Sequence, residues 1–293
     1  MDEISVTSVL NKYKRRDSWF LTDYSVNPYK GCSMNCLYCY IRGSKYGVEM
    51  KVFVKKNAAE ILDKQLSFRA KKKQFGIIAV ASATDPYIKI EKDRKQTRQF
   101  LEVILKYRFP IYVMTRSDLV LRDLDLLHQI DEHAILPADL KNKINRGVIL
   151  ASSFCTLDPE IAGRFEPNAD PPMRRMEMLR ELKKEGFFTG AHFLPLLPKL
   201  TDTKESLRAY AQISKEYQLD YLLTGSITLF GDKDADSKTL VMKIIELYYP
   251  ELFNDYRKQF SRQNYVSRKY QKTLEVNMKE ICSQIGMKYG LSR

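Results

Sequence analysis

Short apolar runs that alternate with amphipathic stretches set the strongest limit on how this chain can fold. Residues 75–82, 110–115, 148–153, 187–193 and 221–229 are each apolar over about a strand's length. Between them, 94–108 carries Phe100, Val103, Ile104 and Tyr107 on one helical face, and 119–130 reads as a helix. Segment 172–185 begins on proline, ends on Lys183-Lys184 and is stopped by Gly186. Asn57-Ala58-Ala59-Glu60 spells a capping box for a helix with Ala58, Ile61, Leu62 and Leu66 inward, and Asp202-Thr203-Lys204-Glu205 caps another. Strands alternating with helices build βαβ units on a parallel sheet. About six such units, with no dinucleotide glycine motif, predict an α/β fold: an open, partial (β/α)6 barrel.

At 293 residues such a barrel fits as one domain. Residues 1–23 read as an N-terminal arm with a basic patch, Lys12, Lys14, Arg15 and Arg16, ahead of Trp19-Phe20. The barrel is expected over 24–230, with an insertion at 131–146, and a helical C-terminal appendage over 231–293. From 235 onward 11 Lys and Arg face 6 Asp and Glu, a net of +5, with eight aromatics interspersed. That mixture suits either a lid packed on the barrel or a track for a nucleic-acid backbone. The whole chain carries +13, which favours polyanionic partners such as nucleic acid without deciding for them.

The acidic start Met1-Asp2-Glu3-Ile4-Ser5 predicts no secretion leader, and the longest apolar run, 75–83, is too short to span a membrane. Five cysteines in such a chain predict free thiols and a cytoplasmic setting.

Three of those cysteines, Cys32, Cys36 and Cys39, fall in the loop 30–42 at spacings i, i+4 and i+7. Thiolates at that density select zinc or an iron–sulfur cluster. A structural zinc site takes four ligands, usually as two separated pairs. Here one triplet stands alone, with no other cysteine or histidine within 80 residues. A [4Fe–4S] cube on three cysteines leaves one iron open to chemistry. The alternative is a zinc knuckle, making the chain a nucleic-acid-binding protein with a structural metal centre.

In a parallel α/β barrel the active site lies at the carboxyl ends of the strands. Four strands here turn polar at that end: Ser82-Ala83-Thr84-Asp85-Pro86-Tyr87, Thr115-Arg116-Ser117, Ser152-Ser153-Phe154-Cys155, and Thr224, Ser226 and Thr228 at period two. One such residue is as well explained by helix capping; four strands together predict a pocket.

The cysteine stretch resembles the radical S-adenosylmethionine (SAM) superfamily, whose signature is Cys-x3-Cys-x-aromatic-Cys, with Tyr38 as the aromatic. The flanks Asn27-Pro28-Tyr29-x-Gly31-Cys32 and Tyr38-Cys39-Tyr40 are similar to the spore photoproduct lyase-like branch, and the resemblance runs over roughly 5–230. It implies a partial radical SAM barrel and a [4Fe–4S] cluster on Cys32, Cys36 and Cys39. It also implies reductive cleavage of SAM to a 5′-deoxyadenosyl radical that takes hydrogen from a substrate, driven by a reductant such as ferredoxin or flavodoxin.

By the same resemblance, Tyr38 and Tyr40 neighbour the adenine and ribose, and Thr84 with Asp85 meets the methionine end. Arg116 stands where the family usually carries lysine and pairs the carboxylate, and Ser153 lies near the same cofactor. Phe165-Glu166-Pro167 and Arg174 or Arg175 continue the series, as cofactor neighbours or as members of a structural ion pair. In spore photoproduct lyase a cysteine returns hydrogen to the product; its matched position here is Ser82, which argues against a DNA repair lyase unless Cys155 substitutes. Cys155 and His192 are the catalytic candidates, His192 also reading as a core or capping histidine.

Overall fold

The computed structural model describes residues 2–45 and 51–291. Glu3–Ile4 (β1) and Asn11–Lys12 (β2) belong to the arm, and Thr22–Val26 (β3) opens the barrel. Tyr29–Lys30 (β4) and Phe53–Lys55 (β5) bracket the cysteine loop. Ala58–Lys71 (α1) leads to Ile77–Val80 (β6), and Glu91–Arg94 (α2) with Gln96–Tyr107 (α3) to Ile111–Met114 (β7). Leu124–His133 (α4) leads to Val148–Phe154 (β8), and Pro159–Phe165 (α5) with Pro172–Lys184 (α6) to Phe188–Leu196 (β9). Lys204–Glu216 (α7) precedes Tyr221–Ser226 (β10); Ser237–Tyr248 (α8), Pro250–Phe260 (α9) and Arg268–Ile285 (α10) follow.

The strands β3, β6, β7, β8, β9 and β10 lie side by side in chain order, all parallel, with β2 antiparallel on the outer edge of β3. This is the expected α/β architecture of six parallel strands, left open between β3 and β10 among the described residues. Both faces of the sheet are apolar for different reasons. Outward, Ile78, Val80, Val113 and Leu150 pack under the helices on Leu62, Phe100, Ile104, Leu127 and Leu179. Inward, Ile77, Tyr112, Ile149 and Tyr221 meet Phe20 and Leu21 of the arm and Leu140 and Ile144 of the 131–146 insertion. Each fully buried Leu or Phe contributes about 1.5–3 kcal/mol relative to an exposed one.

Three local expectations differ from the structure. Asn57 does not cap α1 with its side chain. Its Oδ1 instead accepts from the Val6 amide at 2.9 Å and its Nδ2 donates to the Val6 carbonyl at 3.0 Å, strapping the arm to the barrel. The helix expected over 119–130 begins as a 3-10 turn, Asp118–Asp123, because buried Asp123 is drawn to Arg122 and Arg98 before α4 starts.

Residues 231–293, expected as one appendage, divide in two. α10 sends Leu274, Met278, Ile281 and Cys282 into the main core, where it serves as the sixth barrel helix against β10. After it the chain runs parallel to β10: the Leu222 amide donates to the Lys288 carbonyl at 3.0 Å, and the Gly290 amide to the Leu222 carbonyl at 2.9 Å. Only α8 and α9 stand outside the barrel. Their root is clasped, since the Leu229 amide donates to the Asn264 carbonyl at 2.7 Å and Thr228 bridges Tyr265. Tyr256 and Phe260 of α9 are buried against the cysteine-loop core, whereas Tyr248 and Tyr265 are exposed. No helix among the described residues is long and apolar enough to cross a membrane.

Candidate functional site

The cysteine loop leaves and returns at one place, because β4 and β5 pair antiparallel with Lys30 opposite Phe53. Gly31 takes φ +83°, a conformation L side chains avoid, and its carbonyl accepts from the Thr84 hydroxyl at 2.7 Å. Further along, the Leu37 amide donates to the Phe165 carbonyl at 2.9 Å and Asn168 donates to the Ser33 carbonyl at 2.9 Å. Arg42 Nε donates to the Cys36 carbonyl at 3.0 Å, its Nη2 to Asn35, and its Nη1 to the Ala235 carbonyl at 3.2 Å. Gly43 then lets the loop touch the strand exit: a Cβ there would sit 2.6 Å from the Phe230 carbonyl. At the root, Lys55 donates to the Asn27 carbonyl at 2.7 Å, and burial followed by neighbouring Lys30 pushes its ammonium down to about 8.

Held this way, Cys32, Cys36 and Cys39 line one cavity of about 440 Å³ at the carboxyl ends of the strands. Burial pushes the Cys36 thiol up to about 12 and raises Cys32 as well. Among the described residues, no three Cys, His, Asp or Glu side chains converge as they do on a single metal ion. The cavity lining offers these three thiols and no further Cys or His, which matches the three thiolates of an open-cornered [4Fe–4S] cube rather than the four ligands of structural zinc.

All six residues expected at the cofactor share that cavity: Tyr38, Tyr40, Thr84, Asp85, Arg116 and Ser153. Their hydrogen bonds give them distinct parts. Tyr40 is half-exposed and donates to the Ser82 carbonyl at 2.6 Å. The Tyr38 hydroxyl is buried and donates to Glu166. Asp85 accepts from Thr115 Oγ1 at 2.7 Å, the Arg116 amide at 2.8 Å and the Tyr87 amide at 2.8 Å, so it splints two strand ends; burial nonetheless raises its carboxyl. Arg116 Nη2 donates to Ser153 Oγ at 2.7 Å, and its Nε lies 3.7 Å from Glu166. That buried Nε has no hydrogen-bond partner among the described residues.

Glu166 and Arg175 prove to be a buried ion pair at 2.5 Å behind the cavity wall, not cavity residues. Burial pushes the Glu166 carboxyl up, but Arg175, Arg116 and the Tyr38 hydroxyl outweigh it and hold it below the usual carboxylate range. The two catalytic candidates also lie outside the cavity lining. Cys155 is fully buried behind the wall with Cys36 and Tyr38, and burial raises its thiol far above the usual range. His192 lies one inward position below Leu194, fully buried, hydrogen-bonded to the hydroxyls of Tyr112 (3.2 Å) and Tyr221 (3.0 Å) and stacked on Phe20. Burial drives it down to about 3, so it is neutral and faces no solvent.

Sequence reasoning gave no part to Asn27, whose Oδ1 accepts from the amides of Ser82 (3.0 Å) and Ala83 (2.9 Å), nor to the Arg42 clamp. Leu194, Pro195 and Phe230 complete an apolar wall that only the strand ends could have announced. Ser226 and Thr228 line the cavity as expected, whereas Thr224 is bonded to the Tyr289 hydroxyl at 3.2 Å instead.

No family model matches the chain. It is 25% identical over 261 residues to an uncharacterised protein of Mycobacterium tuberculosis, covering 86% of this chain and 71% of that one. Spore photoproduct lyase, solved as a point mutant, superposes with a TM-score of 0.66 at 16% identity, over 97% of this chain and 80% of that one. SuiB of Streptococcus suis, solved bound to S-adenosylmethionine, gives 0.54 at 11% identity, over 91% and 49%. Motif and architecture therefore agree: the chain has the radical SAM fold in a form like that of spore photoproduct lyase.

Proposed function

We propose that this chain is a radical SAM enzyme that holds a [4Fe–4S] cluster on Cys32, Cys36 and Cys39 and binds S-adenosylmethionine in the same cavity. One observation carries the reading: the three thiols and all six cofactor candidates line a single cavity of about 440 Å³. When bound, the pair supplies reductive cleavage of SAM and a 5′-deoxyadenosyl radical able to take hydrogen from substrate. Everything else falls to the chain's own residues. Arg116, whose side chain lines the cavity, holds an anionic group such as the SAM carboxylate. Glu166 keeps that guanidinium in place from behind, Ser153 fixes its Nη2, and Asp85 anchors the Arg116 backbone amide. Ile41, Met114 and Leu194 exclude water from the reacting end.

The substrate differs from the spore photoproduct on this reading, because Ser82 is exposed at the position matched to the lyase cysteine and Cys155 is sealed behind the wall. A cytoplasmic setting and a ferredoxin- or flavodoxin-type reductant follow from the same chemistry. Anaerobic reconstitution with iron and sulfide, then incubation with SAM and reductant, tests it. Three to four irons per chain and released 5′-deoxyadenosine are expected from three-cysteine ligation of a cube (about four irons at full loading). Iron-free protein, or cluster without deoxyadenosine, overturns it.

A further inference from the structure

Where β6 ends, the backbone departs from an ordinary strand exit. Ala81 takes φ +67°, a left-handed conformation that crowds its Cβ against the backbone, so neighbours must hold it there. β3 and β6 run in parallel register with Val26 opposite Val80, and the Ala81 amide donates to the Val26 carbonyl at 2.9 Å. Asn27 therefore leaves β3 at the level where Ala81 leaves β6. Its Oδ1 accepts from two successive amides, Ser82 at 3.0 Å and Ala83 at 2.9 Å, and its Nδ2 donates to Ser82 Oγ at 3.4 Å. Asn27 is itself fixed. Lys55 donates to its carbonyl at 2.7 Å, and Pro28, next in the chain, restricts its backbone to extended forms.

The turn that Asn27 holds carries the wall of the cavity facing the cysteine loop. Ala81, Ser82, Ala83 and Thr84 all line it. The Ser82 carbonyl accepts from the Tyr40 hydroxyl at 2.6 Å, and the Thr84 hydroxyl donates to the Gly31 carbonyl at 2.7 Å. Beyond the turn, Asp85 is anchored independently by Thr115 and by the Arg116 amide. The span that depends on Asn27 is thus 81–84. Asn27 is not among the residues that line the cavity, so it acts on a ligand through the turn and not by touching it.

We propose that Asn27 is a positioning residue for the reaction: it keeps the left-handed turn at Ala81 closed, and so sets Ser82, Thr84 and Tyr40 against whatever the cavity holds. The proposal deepens the functional reading above and rests on it. Without the carboxamide, Ala81 relaxes to negative φ, the Ser82 carbonyl leaves Tyr40, and the wall loses its fixed shape.

The first measurement needs no cluster: amide exchange of the unloaded chain, resolved to single residues. The Ser82 and Ala83 amides should exchange slowly although Ser82 is exposed. Asn27→Ala should speed both about tenfold while Val80 and Val113 stay within about twofold. Asn27→Asp, which keeps an accepting oxygen for both amides, should stay near wild type. Asn27→Ser, too short to reach both, repeats the test should the alanine variant fail to fold. On reconstituted enzyme, Asn27→Ala should keep its iron and lose about tenfold in kcat for deoxyadenosine release. Its KM for SAM should rise less than about threefold, because Arg116 and Ser153 follow other strands. Adding Ala81→Gly, which enters the left-handed region without strain, should return at least about threefold in kcat. Unchanged exchange at Ser82 and Ala83, or faster exchange throughout β3 and β6 alike, overturns the proposal. So does a kcat that Asn27→Ala leaves unchanged or that Ala81→Gly does not recover, with the functional reading intact. A chain that takes up no iron removes that reading, and the proposal with it.

Discussion

Replacing Glu166 by glutamine keeps the shape behind the cavity and removes one charge. Arg175 is then stranded: its side chain is 0% exposed, packs its guanidinium 4.9 Å from the Phe154 ring centroid and donates to the Ser153 carbonyl. Arg116, 3.7 Å away, loses its partner as well. Breaking a buried ion pair from one side costs about 3–5 kcal/mol, and the glutamine oxygen, still able to accept one bond, puts the expectation near ~3 kcal/mol. Against a typical stability of about 5–15 kcal/mol that is a large loss. Urea unfolding at pH 7 should show it as a lower midpoint with unchanged slope. Adding Arg175→Met removes the stranded charge and should restore about 1–2 kcal/mol, giving a positive coupling in the double-mutant cycle. The pH dependence has a definite sign. Glu166 is held below its unfolded value, so its contribution is complete above the ordinary carboxylate range and is lost as pH falls through the lower folded value. Glu166→Gln should lack that acid limb. A loss under about 1 kcal/mol, or a double variant no better than the single, refutes the assignment of Arg175 and Glu166 as a mutually dependent pair.

Arg116→Ala should leave iron content intact and weaken SAM binding by roughly 1.5–3 kcal/mol, about 10- to 150-fold by isothermal titration; unchanged affinity excludes its role. Cys155→Ala with Cys282→Ala should leave iron per chain unchanged, since both thiols are buried away from the cavity; loss of cluster would make one of them a ligand. His192→Phe should leave the pH profile of turnover unmoved and flatten acid unfolding. Neutral His192 stabilises the fold above pH 6.5, and that contribution falls by up to about 1.4 kcal/mol per pH unit toward its folded value of about 3; a wild-type curve no steeper than the variant's contradicts this. Duplex DNA should bind weakly and without sequence preference, log K falling with log[salt] by about 0.9 per phosphate neutralised, and a Lys12→Ala/Lys14→Ala/Arg15→Ala variant should flatten the slope; sequence-specific binding tighter than ~10⁻⁶ M would restore the repair-lyase alternative.

The parts legible in the sequence are those whose geometry is local or shared. The i, i+4, i+7 spacing holds three thiols within one loop whatever surrounds it, and parallel strands bring Thr84, Arg116 and Ser153 to one edge because they end together. Parity decides less. His192 has the inward parity of Leu194, but it sits one layer lower, where Tyr112 and Tyr221 rather than the cavity surround it. Cys155 follows the last strand residue, so the alternation no longer governs it and the Phe165-Glu166 turn covers it. Asn57 obeyed a tertiary partner, Val6, over its own helix. The helical character of 231–293 is local and legible, but the surface that Leu274, Met278 and Ile281 cover is a non-local matter that the sequence does not carry.

That return of α10 to the barrel has a consequence at the α8–α9 hairpin. Its two ends are joined by the Leu229–Asn264 hydrogen bond and the Thr228–Tyr265 bridge, so the hairpin is a cassette plugged into a closed socket. The socket is also the rim of the cavity, since Phe230 lines it and Ala235 is gripped by Arg42 from the cysteine loop. A change in the hairpin therefore reaches both the entrance and the cysteine loop, because Tyr256 and Phe260 pack in the same core as Cys36 and Tyr38. Exchanging the exposed face of the hairpin between chains of this architecture, with Tyr256 and Phe260 kept, is the direct way to reshape the entrance.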